Sequence, residues 1–350
     1  MELKRRGTSP IKRRKLSEST SAAVGVDYFS SYQKEGIEFF SSGCILLDSV
    51  LGGGYALGRI TNIVGDKSAG KTLLAIEACA NFVNTFPNGH IRYAEAEAAF
   101  DESYAEALGM PIDKVSFADE VDTVEALFND IQKTIDKLKG APGLYIVDSL
   151  DALSDQAEKD REIDDKSYGM TKQKQLSTLF RKQVRVIEQN RLCIIIISQI
   201  RDKIGVTFGE TKSRSGGKAL DFYASQVIWL HEIGKIKKTV AKIDRVVGVQ
   251  VRAKCKKNKV GLPFRECDYP ILFGYGIDDL TASAEWLIDN HREHLLQEVG
   301  LSKAGYKIRI NHIRNNGGSE AKALRDQLTP IIKREWSSIE VGFLPKSRKY

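Results

Sequence analysis

Gly65-Asp66-Lys67-Ser68-Ala69-Gly70-Lys71-Thr72 constrains this chain more than any other stretch. It satisfies G-x-x-x-x-G-K-[ST] in full, with the apolar run Ile60–Val64 before it and the helical stretch Leu73–Val83 after it. The glycines let successive backbone N–H groups turn inward around phosphate oxygens, and the helix N-terminus adds partial positive charge. In such a loop Lys71 reaches the β- and γ-phosphates and Thr72 ligates magnesium. The motif predicts an α/β fold of phosphate-loop type.

The surrounding text agrees. From about residue 40 to 275, short apolar runs alternate with helical patterns, which implies strand–helix units around a mainly parallel central sheet. The strand candidates are Ile60–Val64, Ile91–Ala94, Leu144–Val147, Leu192–Ile197, Val227–Leu230 and Val246–Ala253. The third and fourth are near-continuous apolar runs, as central strands covered on both faces should be. Asp122-Thr123-Val124-Glu125 reads as a capping box. The helix it opens carries Val124, Leu127, Phe128, Ile131, Ile135 and Leu138 as a stripe, and Gly140 ends it. After Gly276 the composition changes, and Trp286, Leu287, Leu295, Leu296, Leu324, Leu328 and Ile332 point to a small helical C-terminal domain. The expected division is a basic arm over 1–25, a nucleotide-binding core over 26–278 and the C-terminal domain over 279–350.

Two carboxylates complete the nucleotide site. Leu144–Val147 delivers Asp148 at a strand end, where an Asp holds the magnesium shell directly or through water. Ala94-Glu95-Ala96-Glu97-Ala98 lies just past the second strand, and its small alanines leave room for a carboxylate at a phosphate. Glu97 is the candidate base that orients the attacking water.

Charge and cysteine usage narrow the class further. The net charge is +7, yet Lys4, Arg5, Arg6, Lys12, Arg13, Arg14 and Lys15 oppose only Glu2, a net of +6 that leaves the other 335 residues at +1. A second basic stretch, 235–265, sets eleven Lys and Arg against the single acid Asp244 and fits a polyanion partner. The five cysteines are scattered with no C-x-x-C pair, which reads as reduced thiols of an intracellular protein without a zinc site. No apolar run is long enough to cross a membrane, and no hydrophobic segment follows the basic arm to make it a secretory signal. The arm reads as a targeting signal, an additional DNA contact or a solubilising tail.

Further runs then point to one family. Phe100-Asp101, Tyr104, Val147-Asp148-Ser149-Leu150, Ser198-Gln199-Ile200-Arg201-Asp202-Lys203, Gly216-Gly217-Lys218-Ala219-Leu220, Phe222-Tyr223-Ala224-Ser225, Lys256-Lys257-Asn258-Lys259 and Gly274-Tyr275-Gly276-Ile277 follow one another in order. Over about 40–280 the chain resembles the RecA-type homologous recombinases. The resemblance implies a RecA-type core that uses ATP and Mg2+. It makes Glu97 the catalytic glutamate, Asp101 and Tyr104 adenine contacts, and Gln199 the sensor that relays the γ-phosphate to DNA. Lys257 and Lys259 would reach ATP held by a neighbouring subunit, and Phe222 would couple adjacent subunits.

Two segments, roughly Glu158–Met170 and Asp202–Gly216, resemble the family's DNA-binding loops. In the first, Tyr168 would stack on bases, and the contact would lie in the later part, Lys166 to Lys174, which includes Lys172. In the second and at its edges, the expected contacts are Arg201, Lys203, Lys212, Arg214, Gly216 and Gly217. Two departures stand out: no long N-terminal helix is evident for docking on the next subunit, and the C-terminus is basic (Lys346, Arg348, Lys349) where the family commonly ends in acids. The expected function is an ATP-dependent recombinase that coats single-stranded DNA as a helical filament and exchanges strands with homologous double-stranded DNA. The rivals are a hexameric helicase, which would use an arginine finger where this chain has Lys-Asn-Lys, and a nucleotide-switched DNA-binding mediator with little turnover, against which Glu97 argues.

Overall fold

A computed structural model describes residues 36–97, 100–154, 170–202, 212–214 and 217–344. Its first segment pairs β1 (Phe39–Phe40) with β2 (Tyr55–Ala56) around α1 (Ile45–Leu51). Then come β3 (Ile60–Gly65), α2 (Lys71–Thr85), β4 (His90–Glu95), α3 (Glu102–Ala107), β5 (Val115–Phe117), α4 (Val124–Leu138), β6 (Gly143–Asp148), α5 (Met170–Gln189) and β7 (Leu192–Asp202). The chain continues through β8 (Lys212–Arg214), α6 (Gly217–Tyr223), β9 (Gln226–Val240), β10 (Ile243–Asn258), β11 (Arg265–Leu272) and β12 (Gly276–Ile277). Three helices close it: α7 (Asp279–Asp289), α8 (Tyr306–Asn316) and α9 (Gly318–Gly342).

The large sheet runs β12-β11-β10-β9-β3-β7-β6-β4-β5, with β8 paired to β7. From β9 to β5 every neighbouring pair is parallel, whereas β9 to β12 form an antiparallel half. Helical crossovers explain the parallel half, because each covers a face and returns the chain to the same starting edge. Side-chain alternation then divides the core. On β7, Cys193, Ile195 and Ile197 join one buried cluster with α1 and α2, whereas Leu192, Ile194 and Ile196 join another with α4, α5 and α6. Both faces are dry, which is why these runs read as continuously apolar.

The six expected strands are all present, but β7, β9 and β10 are much longer than their apolar runs. β9 and β10 form a hairpin whose outer part is exposed, where lysines are interspersed with exposed aliphatic residues such as Ile233, Val240 and Ile243. β5, β8, β11 and the short β1, β2 and β12 went unread, for want of a long apolar run. One cap also shifts by a residue. Thr123, not Asp122, is the N-cap of α4, and its Oγ1 accepts from the Ala126 N–H at 3.1 Å. Glu125 is then one position short of the reciprocal bond and instead accepts from Gln175 Nε2 at 2.6 Å.

The expected boundary at 278/279 falls between β12 and α7, where the Asp278 carboxylate caps α7 by accepting from the Thr281 N–H. The helices beyond it share the core of the sheet: Leu280, Leu287, Ile310, Leu328 and Ile332 lie in the same buried cluster as Leu47, Leu74 and Tyr269. Asp279 pins the join, accepting from the Ile45 N–H at 2.7 Å and from Arg325 Nε at 2.8 Å. The basic arm and the C-terminal Lys346, Arg348 and Lys349 lie outside the described residues.

Candidate functional site

Because β3, β7, β6 and β4 are parallel, their C-terminal ends meet on one edge of the sheet. Register puts Gly65 of β3 beside Gln199 of β7, and Glu95 of β4 beside Asp148 of β6. Residues that are far apart in sequence therefore converge at the crevice where open α/β sheets bind ligands.

The loop itself is built as its motif predicts. β3 ends at Gly65, Asp66, Lys67 and Ser68 are exposed, Ala69 is buried and Gly70 is the N-cap of α2. Gly70 takes φ 84°, the left-handed turn that favours glycine, and a Cβ there would also push on the end of the Ile271 side chain at 2.4 Å. Lys71 Nζ donates to the Asp66 carbonyl at 2.8 Å, folding over its own loop. Burial lowers the Lys71 pKa, while Asp148 and Glu97 pull the other way. A cavity of about 370 Å³ opens beside Ser68, Gly70, Lys71 and Thr72 and is bounded by Asp101, Tyr104 and Phe273. Asp101 caps α3 by accepting from the Tyr104 N–H at 2.9 Å, so both expected adenine contacts stand together at its wall. Phe100 packs at a tilt against Tyr93 with centroids 4.9 Å apart, which holds that wall to the core.

Thr72 Oγ1 donates to Asp148 Oδ2 at 2.8 Å, and Tyr93 Oη donates to the same oxygen at 2.9 Å. Burial raises the Asp148 pKa, these two hydrogen bonds oppose the rise, and Glu97 and Glu95 add to it. A buried carboxylate beside a hydroxyl, with two more acids nearby, is a donor set that fits a hard divalent cation. Among the described residues no three His, Cys, Asp or Glu side chains form a ready-made metal cage. Magnesium needs none when waters and phosphate oxygens fill its remaining positions.

Glu97 lies beyond β4, and its Oε1 accepts from Ser149 Oγ at 2.5 Å and from Gln199 Nε2 at 3.1 Å. The expected base and the expected sensor are thus hydrogen-bonded to each other. Ser149 and Asp151 were missed as contributors. Asp151 Oδ2 accepts from the Gln199 backbone N–H at 2.7 Å. Ser149 adjoins Asp148 and was within reach of a reading by neighbourhood; Asp151 carries no local signal.

Lys257 and Lys259 lie elsewhere. Lys257 pairs with Val227, which pairs with Asn62, three residues before Gly65 and so roughly 10 Å back along the strand from the loop. Lys257 Nζ donates to the carbonyls of Asp221 and, at 3.0 Å, of Phe222, and Lys259 Nζ donates to the latter at 3.2 Å. Both ammonium groups cap the C-terminal end of α6, where the helix dipole favours cations. The Phe222 ring beside them is 69% exposed. This cluster occupies the sheet edge opposite its own phosphate loop.

The expected DNA contacts are only partly placed. Arg201 pairs with Ser213, Asp202 with Lys212 and Ile200 with Arg214, so β7 runs from Gln199 straight into a two-stranded stem around 203–211. Gly217 opens α6, whereas Tyr168, Lys203 and Gly216 lie outside the described residues. Lys172 stands on the first turn of α5, and its ammonium donates to the main-chain carbonyls of Asp151, at 3.5 Å, and Leu153. All five cysteines are buried free thiols, and no helix among the described residues is long and apolar enough to cross a membrane.

Comparison with known proteins gives a consistent picture. Residues 22–278 match the RecA N-terminal domain family. The proteins named RecA from Borrelia hermsii (strain HS1 / DAH) and Borrelia turicatae (strain 91E135) are each 38% identical over 267 residues, 76% of this chain and 72% and 70% of their own lengths. Protein RecA of Borreliella burgdorferi (strain ZS7) is 35% identical over 267 residues, again 76% of this chain and 70% of its own length.

Proposed function

This chain belongs to the RecA family, whose work is homologous recombination and repair, and we propose that it is an ATP-driven, filament-forming recombinase acting on DNA. The observation that carries this reading is the split of the nucleotide machinery between opposite edges of one sheet. Gly65–Thr72, Asp148, Glu97 and Gln199 share one edge, while Lys257, Lys259 and the exposed Phe222 share the other. A site divided in this way is completed only by a second copy. Head-to-tail contact that does not close on itself propagates as a helix.

Each residue then has a task. The loop N–H groups and Lys71 hold the phosphates, Asp101 and Tyr104 bound the base, and Thr72 with Asp148 would hold Mg2+. That ion, when bound, neutralises charge on the β- and γ-oxygens. Glu97 orients the attacking water and accepts its proton, and Lys257 and Lys259 of the next copy offset charge on the transferred phosphoryl group. Gln199 hydrogen-bonds Glu97 and begins the last stretch of β7, so its displacement on hydrolysis passes into Ile200-Arg201-Asp202 and loosens the DNA segment. Single-stranded DNA is held through its phosphates, without fixed sequence preference, and is exchanged with double-stranded DNA.

Electron microscopy with single-stranded DNA and a non-hydrolysable ATP analogue, together with a DNA-stimulated ATPase assay, tests the reading. Helical filaments and stimulated turnover are expected, and Lys71→Ala should abolish both. Closed rings, or stimulated turnover that survives Lys71→Ala, would overturn it.

A further inference from the structure

The turn Ser149–Ser154 between β6 and the segment 155–169 makes an unusual set of connections. Pairing of β6 with β7 ends at Val147 and Ile196. Beyond that point the turn takes over from the ladder: the Leu150 N–H donates to the Ile197 carbonyl at 3.0 Å, and the Asp151 carboxylate accepts from the Gln199 N–H at 2.7 Å. Gln199 is therefore held at both ends, by its backbone on Asp151 and by its side chain on Glu97. The start of the turn is tied to the same site, since Ser149 Oγ donates to Glu97.

The far side of the turn is anchored just as closely. Lys172 donates to the carbonyls of Asp151 and Leu153. The Ser154 N–H donates to the Asp122 carbonyl and the Val124 N–H donates to the Ser154 carbonyl, both at 3.0 Å. Ser154 stands immediately before 155–169 and Lys172 shortly after it, so the turn holds both flanks of that segment.

We propose that Asp151 is a positioning residue that couples the state of the nucleotide to the grip on DNA through the turn Ser149–Ser154. The proposal rests on the RecA reading above and adds a second output to it. β7 carries a displacement of Gln199 directly into 203–211. Asp151 carries the same displacement sideways, because a carboxylate bonded to a backbone N–H resists being left behind. Breaking that bond leaves a partly buried donor unmet, so the turn and Gln199 move together. Lys172 then passes the movement to the start of α5.

Asp151→Ala and Asp151→Asn separate the hydrogen bond from the charge, since both remove the charge and only Ala removes the acceptor. The readout is the affinity for a fluorescent oligo(dT) with a non-hydrolysable ATP analogue, divided by that with ADP. For Asp151→Ala the ratio should fall about tenfold, the usual size of a coupling between sites, with the KM for ATP little changed and DNA-stimulated kcat reduced. Asp151→Asn should restore most of both. Lys172→Met provides an independent arm should Asp151→Ala fail to fold. Lys172 acting through the turn lowers the ratio, whereas a direct phosphate contact lowers both affinities equally and flattens the salt dependence. Equal ratios in wild type, Asp151→Ala and Lys172→Met overturn the proposal, as does identical behaviour of the Ala and Asn variants. A wild-type protein whose DNA affinity ignores nucleotide instead overturns the reading on which the proposal rests.

Discussion

Gln199 Nε2 donates to Glu97 Oε1 across 3.1 Å, so the proposed γ-phosphate sensor is bonded to the proposed water-positioning base. Under the proposed function, sensing and hydrolysis are two uses of one contact. Glu97→Gln should lower ATP turnover by about 10²-fold or more, as loss of a general base does. ATP-dependent DNA binding should persist, with slower release. A steady-state ATPase assay beside a DNA-binding titration checks this, and equal loss of both would show a structural role for Glu97.

The opposite-edge placement of Lys257 and Lys259 predicts complementation. Lys257→Ala/Lys259→Ala should bind nucleotide nearly as wild type does, since its own loop is untouched, but fail in filament assembly and DNA-stimulated hydrolysis. Mixed with Lys71→Ala, it should regain part of its ATPase, because each inactive partner supplies what the other lacks. Mixtures no more active than the separate variants, despite co-assembly on DNA, would overturn the assignment of the lysines to a neighbour's site.

Stability should depend on pH through Glu77, a half-buried acid of α2. Burial pushes its pKa up to about 7, against partial relief from the Ile277 N–H and Arg325, while Asp279 adds to the rise. The folded form thus holds the proton more tightly than the unfolded chain. The contribution is full below the ordinary carboxylate range and is lost as pH rises towards 7. Glu77→Gln should flatten the stability profile between about pH 5 and 8 and gain on the order of 3 kcal/mol at most at the upper end. Asp48, pushed up to about 6 by burial, leaves a residual slope of the same sign. Denaturant melts at several pH values measure it; an unchanged slope would show that Glu77 does not titrate in this range.

The N-terminal arm carries a net +6 over its first fifteen residues. Deleting 1–15 should reduce the slope of log affinity for single-stranded DNA against log salt by up to about 4, if the net charge of six displaces as many counterions. An unchanged slope would leave targeting or solubility as its role.

Much of this protein was decided locally. Gly65–Thr72 makes its phosphate loop largely from its own backbone, since Gly70 takes the left-handed turn that opens α2 without strain. The runs Leu144–Val147 and Leu192–Ile197 announce buried parallel strands because both of their faces are dry. Asp148 follows from standing at such a strand's end. Other features arise only when separate segments meet. Asp151 has no motif, and it matters because the ladder between β6 and β7 stops short and leaves the Gln199 N–H to be met from the side. Lys172 reads as a basic loop residue until α5 sets it over two carbonyls. The C-terminal helices read as a unit apart, yet Asp279 and the shared apolar cluster bind them to the sheet. Local composition determines backbone conformation and burial, which depend on nearest neighbours along the chain. Which carboxylate meets which N–H is decided by strand register and by where each ladder ends, and those are set by the packing of the whole sheet.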